Sequence, residues 1–241
     1  WGLPDYSKSS ATSYGILLGI LLFDSKKLLQ FRPHYLDIPT ILWCLCPFFS
    51  SISNGLGSYD GFAEALAQTS KWGIPYFIGR LYFCDRSSLE LLIKHIIAGG
   101  IIYAPFCLWE MRMAPTLHFD IYGFSQHEFS QTKRLGGYRP MVFMQHGLML
   151  GSWMASASLL ALARLKKYKD KKYFSVDWLW IVVGLVVVTL SLRATSSMIE
   201  LALGMGAIVI ARKSSSRLIF ILLILTIPLY LTGKISGSLS G

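Results

Sequence analysis

The chain has 241 residues, of which 53% are hydrophobic and only 15% are charged, with a formal net charge of +10. Soluble domains carry about 25% charged residues, so this composition excludes an ordinary soluble protein and predicts one that crosses a membrane several times. The positive charge does not indicate nucleic acid as a partner, because most of it stands in short loops, where basic residues set topology.

Apolar runs of the length of a membrane span recur along the sequence. Crossing the hydrocarbon core takes about 20 mostly apolar residues. We therefore predict an all-α, polytopic transmembrane bundle of seven or eight spans that forms a single domain over residues 1–241. Lys71 and the sequence Gly73-Ile74-Pro75 interrupt the third predicted span. The predicted spans are 12–23, 38–54, 62–83, 90–109, 142–163, 177–192, 195–211 and 217–233.

The distribution of Lys and Arg predicts which loops face the cytoplasm, where basic residues are enriched. The basic segments 24–37, 163–174 and 211–217 are then cytoplasmic, and the loop 110–141 and the turn before residue 195 are external. Some basic residues do not follow this pattern. Arg112, Lys133, Arg134, Arg139 and Arg193 are external, and Lys71, Arg80 and Lys94 lie within predicted spans.

Arg193 separates the apolar runs WLWIVVGLVVVTL (178–190) and MIELALGMGAIVI (198–210). One helix through 178–211 would be about 50 Å long, whereas the hydrocarbon core is about 30 Å thick. We predict a helical hairpin over 177–211, whose short arms let the turn at Arg193 dip into the membrane. A guanidinium at that level is costly unless it faces protein, water or an anion, so Arg193 is a candidate functional residue.

The predicted outer loop, 110–141, combines aromatic, charged, Gly and Pro residues and is expected to be folded. Glu110 and His146 are candidate general bases, although a lone His on a helix is more often a packed residue. His118, Asp120, His127 and Glu128 carry ligand atoms for a metal, but their spacing matches no zinc pattern, so we expect no metal. No P-loop or Rossmann fingerprint occurs in the sequence, and we expect no cofactor.

The external arginines predict a negatively charged ligand at the membrane surface, because a guanidinium matches two phosphate oxygens at once. A lipid-linked pyrophosphate fits this description. Positioned arginines would stabilise the charge on a pyrophosphate leaving group, and a carboxylate or a His would take the proton of an attacking hydroxyl. The alternative is structural, with the arginines paired to Glu110, Asp120 or lipid headgroups.

Several segments resemble the O-antigen ligase and polymerase family of bacterial membrane glycosyltransferases, from about residue 37 onward. LSLRATSSMIELALG (190–204) resembles the Arg-containing, Thr/Ser-rich turn between two spans of that family. RLGGYRPMVFMQHGLMLGSWMAS (134–156) resembles the outer loop that precedes it. GIPYFIGRLYF (73–83) and WEMRMAPTLHFDIYGF (109–124) are similar to features of the bacterial subgroup, and LTGKISGSLSG (231–241) is similar to the start of the large outer loop.

The resemblance implies an inverting, metal-independent glycosyltransferase of the bacterial inner membrane with a periplasmic active face. It would move a glycan from undecaprenyl pyrophosphate to an acceptor hydroxyl, on lipid A–core for a ligase or on a growing glycan for a polymerase. Arg193, Arg139, Arg134 and Arg80 are the implied substrate ligands, with Glu110 and His146 as catalytic candidates. Family members are longer, and their large outer loop supplies a His, so we expect this chain to be part of a longer protein.

Two other functions remain open on the sequence. A transporter for an anionic or lipid-linked substrate fits Lys71 and the break at Gly73–Pro75, because transporters use broken helices at the bilayer midplane. The sequence has no internal repeat, however, and the long outer loop is unusual for a transporter. A structural or assembly protein of the membrane without chemistry would leave the external arginines unexplained.

Overall fold

A computed structural model describes residues 8–29, 31–126, 128–168, 172–173 and 175–214, with 221, 224–226, 228 and 232–233. Over these residues the protein is mostly helical, with two short β-hairpins. Three helical stretches are long and apolar enough to cross a membrane: Tyr35–Ser53, Arg86–Met113 and Thr195–Lys213. His127 and most of the predicted span 217–233 lie outside the described residues.

The chain divides into two compact units, Trp1–Leu92 and Ile93–Gly241, and the boundary falls within one long helix. This division does not test the prediction of a single transmembrane domain, and the number of seven or eight spans is not established by the described residues, so both stay predictions. In the first unit a 3-10 turn at Tyr35–Asp37 leads into α3, and α3 packs against α4. Its helices are α1 (Lys8–Phe23), α2 (Ser25–Leu29), α3 (Ile38–Ser53), α4 (Ser58–Gln68) and α5 (Ile74–Tyr82).

The segment predicted as one span over 62–83 consists of α4 and α5 joined by a π-helical turn at Thr69–Gly73. Pro75 explains the turn, because proline has no N–H and its ring clashes with the carbonyl four residues back in an α-helix. The N–H of Ile74 instead bonds the carbonyl of Thr69, five residues back. The wider turn therefore absorbs the interruption that the sequence predicted at Gly73-Ile74-Pro75.

The second unit contains most of the long helix α6 and three further apolar helices. A 3-10 turn at Phe129–Thr132 precedes the first hairpin, in which Lys133 pairs with Tyr138 and Arg134 with Gly137. The elements are α6 (Arg86–Met113), α7 (Leu117–Tyr122), β1 (Lys133–Arg134), β2 (Gly137–Tyr138), α8 (Gly147–Ala163), α9 (Leu165–Tyr168), β3 (Lys172–Tyr173), β4 (Val176–Asp177), α10 (Trp178–Ser191) and α11 (Thr195–Ser214).

Helix α8 packs against both α10 and α11, and hydrogen bonds fix the directions of these helices. Trp178, at the start of α10, donates its Nε1–H to the carbonyl of Ala161 near the end of α8, so these two helices are antiparallel. Arg212, near the end of α11, donates to the carbonyls of Leu162 and Ala163 at the end of α8, so α8 and α11 are parallel. The beginnings of α8 and α11 therefore lie at the same end of the unit.

Small residues allow close approach of these helices, as is usual between membrane helices. A side chain at Gly100 of α6 would collide with Ala157 of α8, and one at Gly151 of α8 would collide with Ser197 of α11. Between α8 and α10, the buried hydroxyls of Ser158 and Thr189 are 2.9 Å apart.

Helix α8 begins at Gly147, whereas the sequence predicted a span from residue 142. The difference has a backbone cause. Val142 has φ of 51°, and a non-glycine residue in this left-handed region does not continue an α-helix. The N–H groups of Met141 and Val142 also donate to the carboxylate of Glu110, and α8 begins only after this turn.

Candidate anion-binding site at one end of the second unit

Glu110 joins the two ends of the predicted outer loop. The residue is 1% exposed, and its carboxylate accepts the N–H groups of Leu117 at 3.2 Å, Met141 at 2.8 Å and Val142 at 2.7 Å. A general base must reach the proton it removes directly or through one water. Glu110 is buried, and both of its carboxylate oxygens accept backbone N–H groups, so these contacts support a structural role. Its catalytic role stays a prediction from the sequence.

The β1–β2 hairpin of the outer loop lies against the turn between α10 and α11. Leu135 and Gly136 form its two-residue turn with positive φ values of 48° and 73°, the backbone of a type I′ turn. A pocket of about 360 Å³ surrounds the hairpin and is lined by residues 133–138. The hairpin therefore presents the basic residues Lys133 and Arg134 beside an open pocket.

Arg193 occupies the turn between α10 and α11, as the sequence predicted. Its φ of 55° is unfavourable for a residue with a side chain, and such conformations persist only where the surroundings enforce them. The guanidinium lies against the backbone of Gly137, and its Nη1–H donates to the carbonyl of Arg134 at 3.5 Å. The structure thus brings together the loop and the turn that carry the predicted external arginines.

Arg139 is the buried member of this group, with 7% of its surface exposed. Its Nη2–H donates to the carbonyl of Gln131 at 3.3 Å, but its buried Nε–H has no partner among the described residues. A buried donor without a partner costs about 1–3 kcal/mol. Burial lowers the pKa of the Arg139 guanidinium, and the positive charge of Arg134 lowers it further. A bound anion would offset both effects.

The side chain of Arg139 packs on the first residue of α8, where a Cβ on Gly147 would lie 2.8 Å from Nε. The N-terminus of this 17-residue helix carries partial positive charge and backbone N–H donors. A helix N-terminus and a buried guanidinium with one unpaired donor, Nε–H, therefore lie together. This makes the start of α8 a candidate site for phosphate oxygens.

His146 is the N-cap of α8, and its Nδ1 accepts the N–H of Leu148 at 3.0 Å. With Nδ1 as acceptor, the proton of a neutral imidazole is on Nε2. The nitrogen able to take up a proton is therefore the one that caps the helix. The structure places His146 at the candidate site, beside the helix start on which Arg139 packs, and gives it a positioning role.

Arg80, the fourth predicted substrate ligand, belongs to the first unit. Its Nε lies 2.9 Å from the Asp37 carboxylate, which also accepts the hydroxyl of Tyr76 at 2.6 Å. The carboxylate neutralises the guanidinium. Arg80 therefore has an acidic partner within the first unit.

In the described part of the chain, no three His, Cys, Asp or Glu side chains lie close enough together to hold a metal ion. His118, one of the residues considered for such a site, is buried and donates from Nδ1 to the carbonyl of Phe124 at 2.9 Å. Its Nε2 accepts from the amide of Gln126 at 2.7 Å. Asp120 accepts the hydroxyl of Thr116, and His127 lies outside the described residues.

Glu200 is a residue that the sequence interpretation missed. It lies within α11, is exposed on the surface of the unit, and accepts the hydroxyl of Ser152 on α8 at 2.9 Å. The signal was available, because an ionisable residue inside an apolar run of span length is a functional candidate by default.

Comparison of the chain with protein-family models, curated proteins and solved structures finds no match. The described residues form a mostly helical protein in which three helical stretches are long and apolar enough to cross a membrane, which is the class that the fold supports. The candidate site is the end of the second unit that carries Arg139, Arg193 and Arg134.

Proposed function

We propose that the chain acts in the transfer of a glycan from undecaprenyl pyrophosphate to an acceptor hydroxyl, in the manner of O-antigen ligases and polymerases. The observation that carries the proposal is Arg139, buried with an unsatisfied Nε–H at the start of α8. Arg193 and Arg134 add two guanidinium groups to the same end of the unit. Arginine is favoured over lysine wherever phosphate is bound by two oxygens at once.

The length of α10 supports a ligand held at the membrane surface. Its 14 residues extend about 21 Å, which is less than the roughly 30 Å of the hydrocarbon core. With the Trp178 end of α10 at one interface, the Arg193 turn would lie below the opposite interface. A lipid-linked pyrophosphate is anchored at that interface by its hydrocarbon chain, whereas a soluble anion is not.

We also propose that the arginine end faces the periplasm of a bacterial inner membrane, in a protein with seven or eight spans. In the sequence, the segments 163–174 and 211–217 contain nine Lys and Arg residues, against five in the outer loop 110–141 and at Arg193, and this difference fits a cytoplasmic side for those segments. Arg164, Lys166, Lys167, Arg212 and Lys213 are among the nine.

In the proposed reaction the acceptor hydroxyl attacks the anomeric carbon of the glycan, and the bond from that carbon to the pyrophosphate oxygen breaks. The electron pair of the broken bond stays on the pyrophosphate, where arginine side chains stabilise the developing charge. The hydroxyl proton passes to a base. Glu110 is enclosed and His146 caps a helix, so the proposal assigns neither as that base. Lipid A–core and a growing glycan both supply suitable acceptor hydroxyls.

The test is binding of undecaprenyl-pyrophosphate-linked glycan to the protein in nanodiscs, for wild type, Arg193→Ala and Arg139→Ala. Each variant removes charge-assisted hydrogen bonds, so we expect affinity to fall about tenfold or more. Arg212→Ala is the matched control, because Arg212 also donates to backbone carbonyls but at the other end of α11. Unchanged binding in both Arg193→Ala and Arg139→Ala, with the fold intact, would overturn the proposal.

A membrane transporter for an anionic or lipid-linked substrate is the second candidate function. One observation favours it: the π-helical turn at Thr69–Gly73, which carries the exposed Lys71. Turns of this kind often occur at functional sites. Counterflow of a labelled substrate in proteoliposomes separates the two functions, since a transferase binds the donor without moving it across the bilayer.

A further inference from the structure

A second basic pocket lies within the first unit, between the segment that joins α2 to α3 and the end of α5. Its volume is about 530 Å³. Its walls combine cationic side chains with apolar ones. The residues that matter for its chemistry are Lys27, Phe31, Arg32, His34, Arg80 and Leu81.

The cations of this pocket differ in how strongly they are neutralised. Arg80 is held by Asp37, which fixes its guanidinium in the wall. Lys27 lies 3.6 Å from the Asp24 carboxylate and 4.1 Å from the centre of the Tyr82 ring. Arg32 is exposed and has no carboxylate partner within the part of the chain that the structure describes. Three cations therefore face two carboxylates, and the pocket keeps positive charge.

The place of the pocket along the chain indicates its ligand. It lies directly before Tyr35–Ser53, one of the three helical stretches able to cross a membrane. Phe31 packs against Phe77 with ring centres 4.6 Å apart and ring planes inclined by 54°, and Leu81 adds a further apolar wall. A pocket that is basic on one side and apolar on the other, at the end of a membrane helix, matches a phosphate headgroup with its glycerol and acyl chains.

We infer that this pocket binds the phosphate of an anionic phospholipid, with Arg32 and Lys27 as ligands and Arg80 as a fixed guanidinium behind them. Asp37 has a positioning role, because its carboxylate accepts from both Nε of Arg80 at 2.9 Å and Nη2 at 3.4 Å and so fixes the guanidinium in the pocket wall. All residues of this lipid site belong to the first unit, and none of them is among the arginines proposed to bind the glycan donor in the second unit. The inference therefore does not depend on the proposed glycan transfer. It assigns Arg80 to a resident lipid in place of the glycan donor.

The experiment measures phosphatidylglycerol bound to the full chain after reconstitution in phosphatidylcholine nanodiscs that contain a minor fraction of phosphatidylglycerol. Bound lipid is counted by native mass spectrometry as a function of that fraction. The test variant is Lys27→Gln/Arg32→Gln, which leaves the Arg80–Asp37 pair in place. The matched control is Lys26→Gln/Arg86→Gln, which removes the same charge from exposed residues that do not line the pocket.

A charge-assisted hydrogen bond to the phosphate contributes about tenfold to affinity, so the test variant, which removes both proposed ligands, should bind phosphatidylglycerol about a hundredfold more weakly. The control should bind like wild type. Equal losses in both variants, or no loss in the test variant, would overturn the inference. Displacement of the lipid by inorganic phosphate at equal concentration would also overturn it, because the ligand would then be free phosphate. Binding of the glycan donor should be the same in the test variant and in wild type.

Discussion

The guanidinium of Arg193 lies against Gly137, in the space that a side chain at position 137 would fill. The two residues come from different parts of the unit, the α10–α11 turn and the β1–β2 hairpin, and the bond from Arg193 to the carbonyl of Arg134 joins the same two segments. The missing side chain of Gly137 therefore sets the position of the Arg193 charge.

This relationship predicts that Gly137→Ala displaces Arg193. The φ of Gly137 is not positive, so the backbone accepts alanine, but the methyl group and the guanidinium cannot occupy the same space. We expect affinity for the lipid-linked glycan to fall about tenfold, as for Arg193→Ala. The control is Gly206→Ala, because a Cβ at Gly206 meets no atom within 4 Å. Wild-type binding by Gly137→Ala would show that the Arg193 position does not matter.

Glu110→Ala should destabilise the protein. The substitution leaves three backbone N–H groups without their acceptor, two of them in the buried turn at Met141 and Val142. Buried donors without partners cost about 1–3 kcal/mol each, so we expect a loss of about 3 kcal/mol or more in the free energy of unfolding. Thermal unfolding in detergent measures it.

Glu110→Gln separates this structural role from a catalytic one. A glutamine has one acceptor oxygen in place of two, so it should keep part of the hydrogen bonding and lose an intermediate amount of stability. A variant with wild-type stability and wild-type donor binding that fails to transfer glycan would return Glu110 to the role of general base.

The sequence predicted the positions of the apolar helices well because each is a long run whose ends are marked by polar residues. Helix α3 and the hairpin of α10 and α11 lie within a few residues of the predicted bounds. The start of α8 was wrong by five residues, since it depends on the bond between Val142 and Glu110. A partner 32 residues away leaves no signal in the local pattern.

The candidate site was predictable in part. Arg139 and Arg193 were candidates from the sequence because they are basic residues in segments predicted to be external, where the positive-inside rule expects few. Their surroundings were not predictable. The packing of Arg139 on Gly147 and of Arg193 on Gly137 depends on two glycines whose role appears only when the segments meet. The hydrogen bonds of Glu110 were not predictable either, because its partners are backbone N–H groups, which every segment has.

Asp85 gives the stability a defined pH dependence. Its carboxylate accepts the N–H of Ser88 and the hydroxyls of Ser87 and Ser88 at the start of α6, and these bonds hold its pKa below the usual value. A lowered pKa in the folded state adds stability above the unfolded pKa of about 4, and this stability is lost as the pH falls through the folded pKa. Asp85→Asn keeps an oxygen for the cap but removes the charge.

We therefore expect wild type to have a higher thermal midpoint than Asp85→Asn at pH 7, and the difference to shrink as the pH is lowered below about 4. Midpoints measured by a fluorescence melt at a series of pH values provide the comparison. Asp60→Asn is the control, because it removes an acidic charge from the first turn of another helix, α4. A difference that stays constant with pH would remove the charge of Asp85 as the cause.

Glu200 makes a prediction about the cost of a charge in a membrane helix. It lies five residues into α11, about 7.5 Å along the helix axis, and its carboxylate is exposed apart from the bond to Ser152. A carboxylate at the centre of a bilayer costs about 2.5–3.5 kcal/mol on insertion scales. Glutamine keeps an acceptor for Ser152 and removes the charge, so Glu200→Gln should raise the unfolding midpoint in nanodiscs. The gain should be smaller in detergent, where water reaches the helix surface more easily.

Ser152→Ala removes the same hydrogen bond but leaves the charge, and it should lower the midpoint in both media. A lower midpoint for Glu200→Gln in nanodiscs would mean that the charge of Glu200 itself is used, by a cation or by water held against this face of α8 and α11.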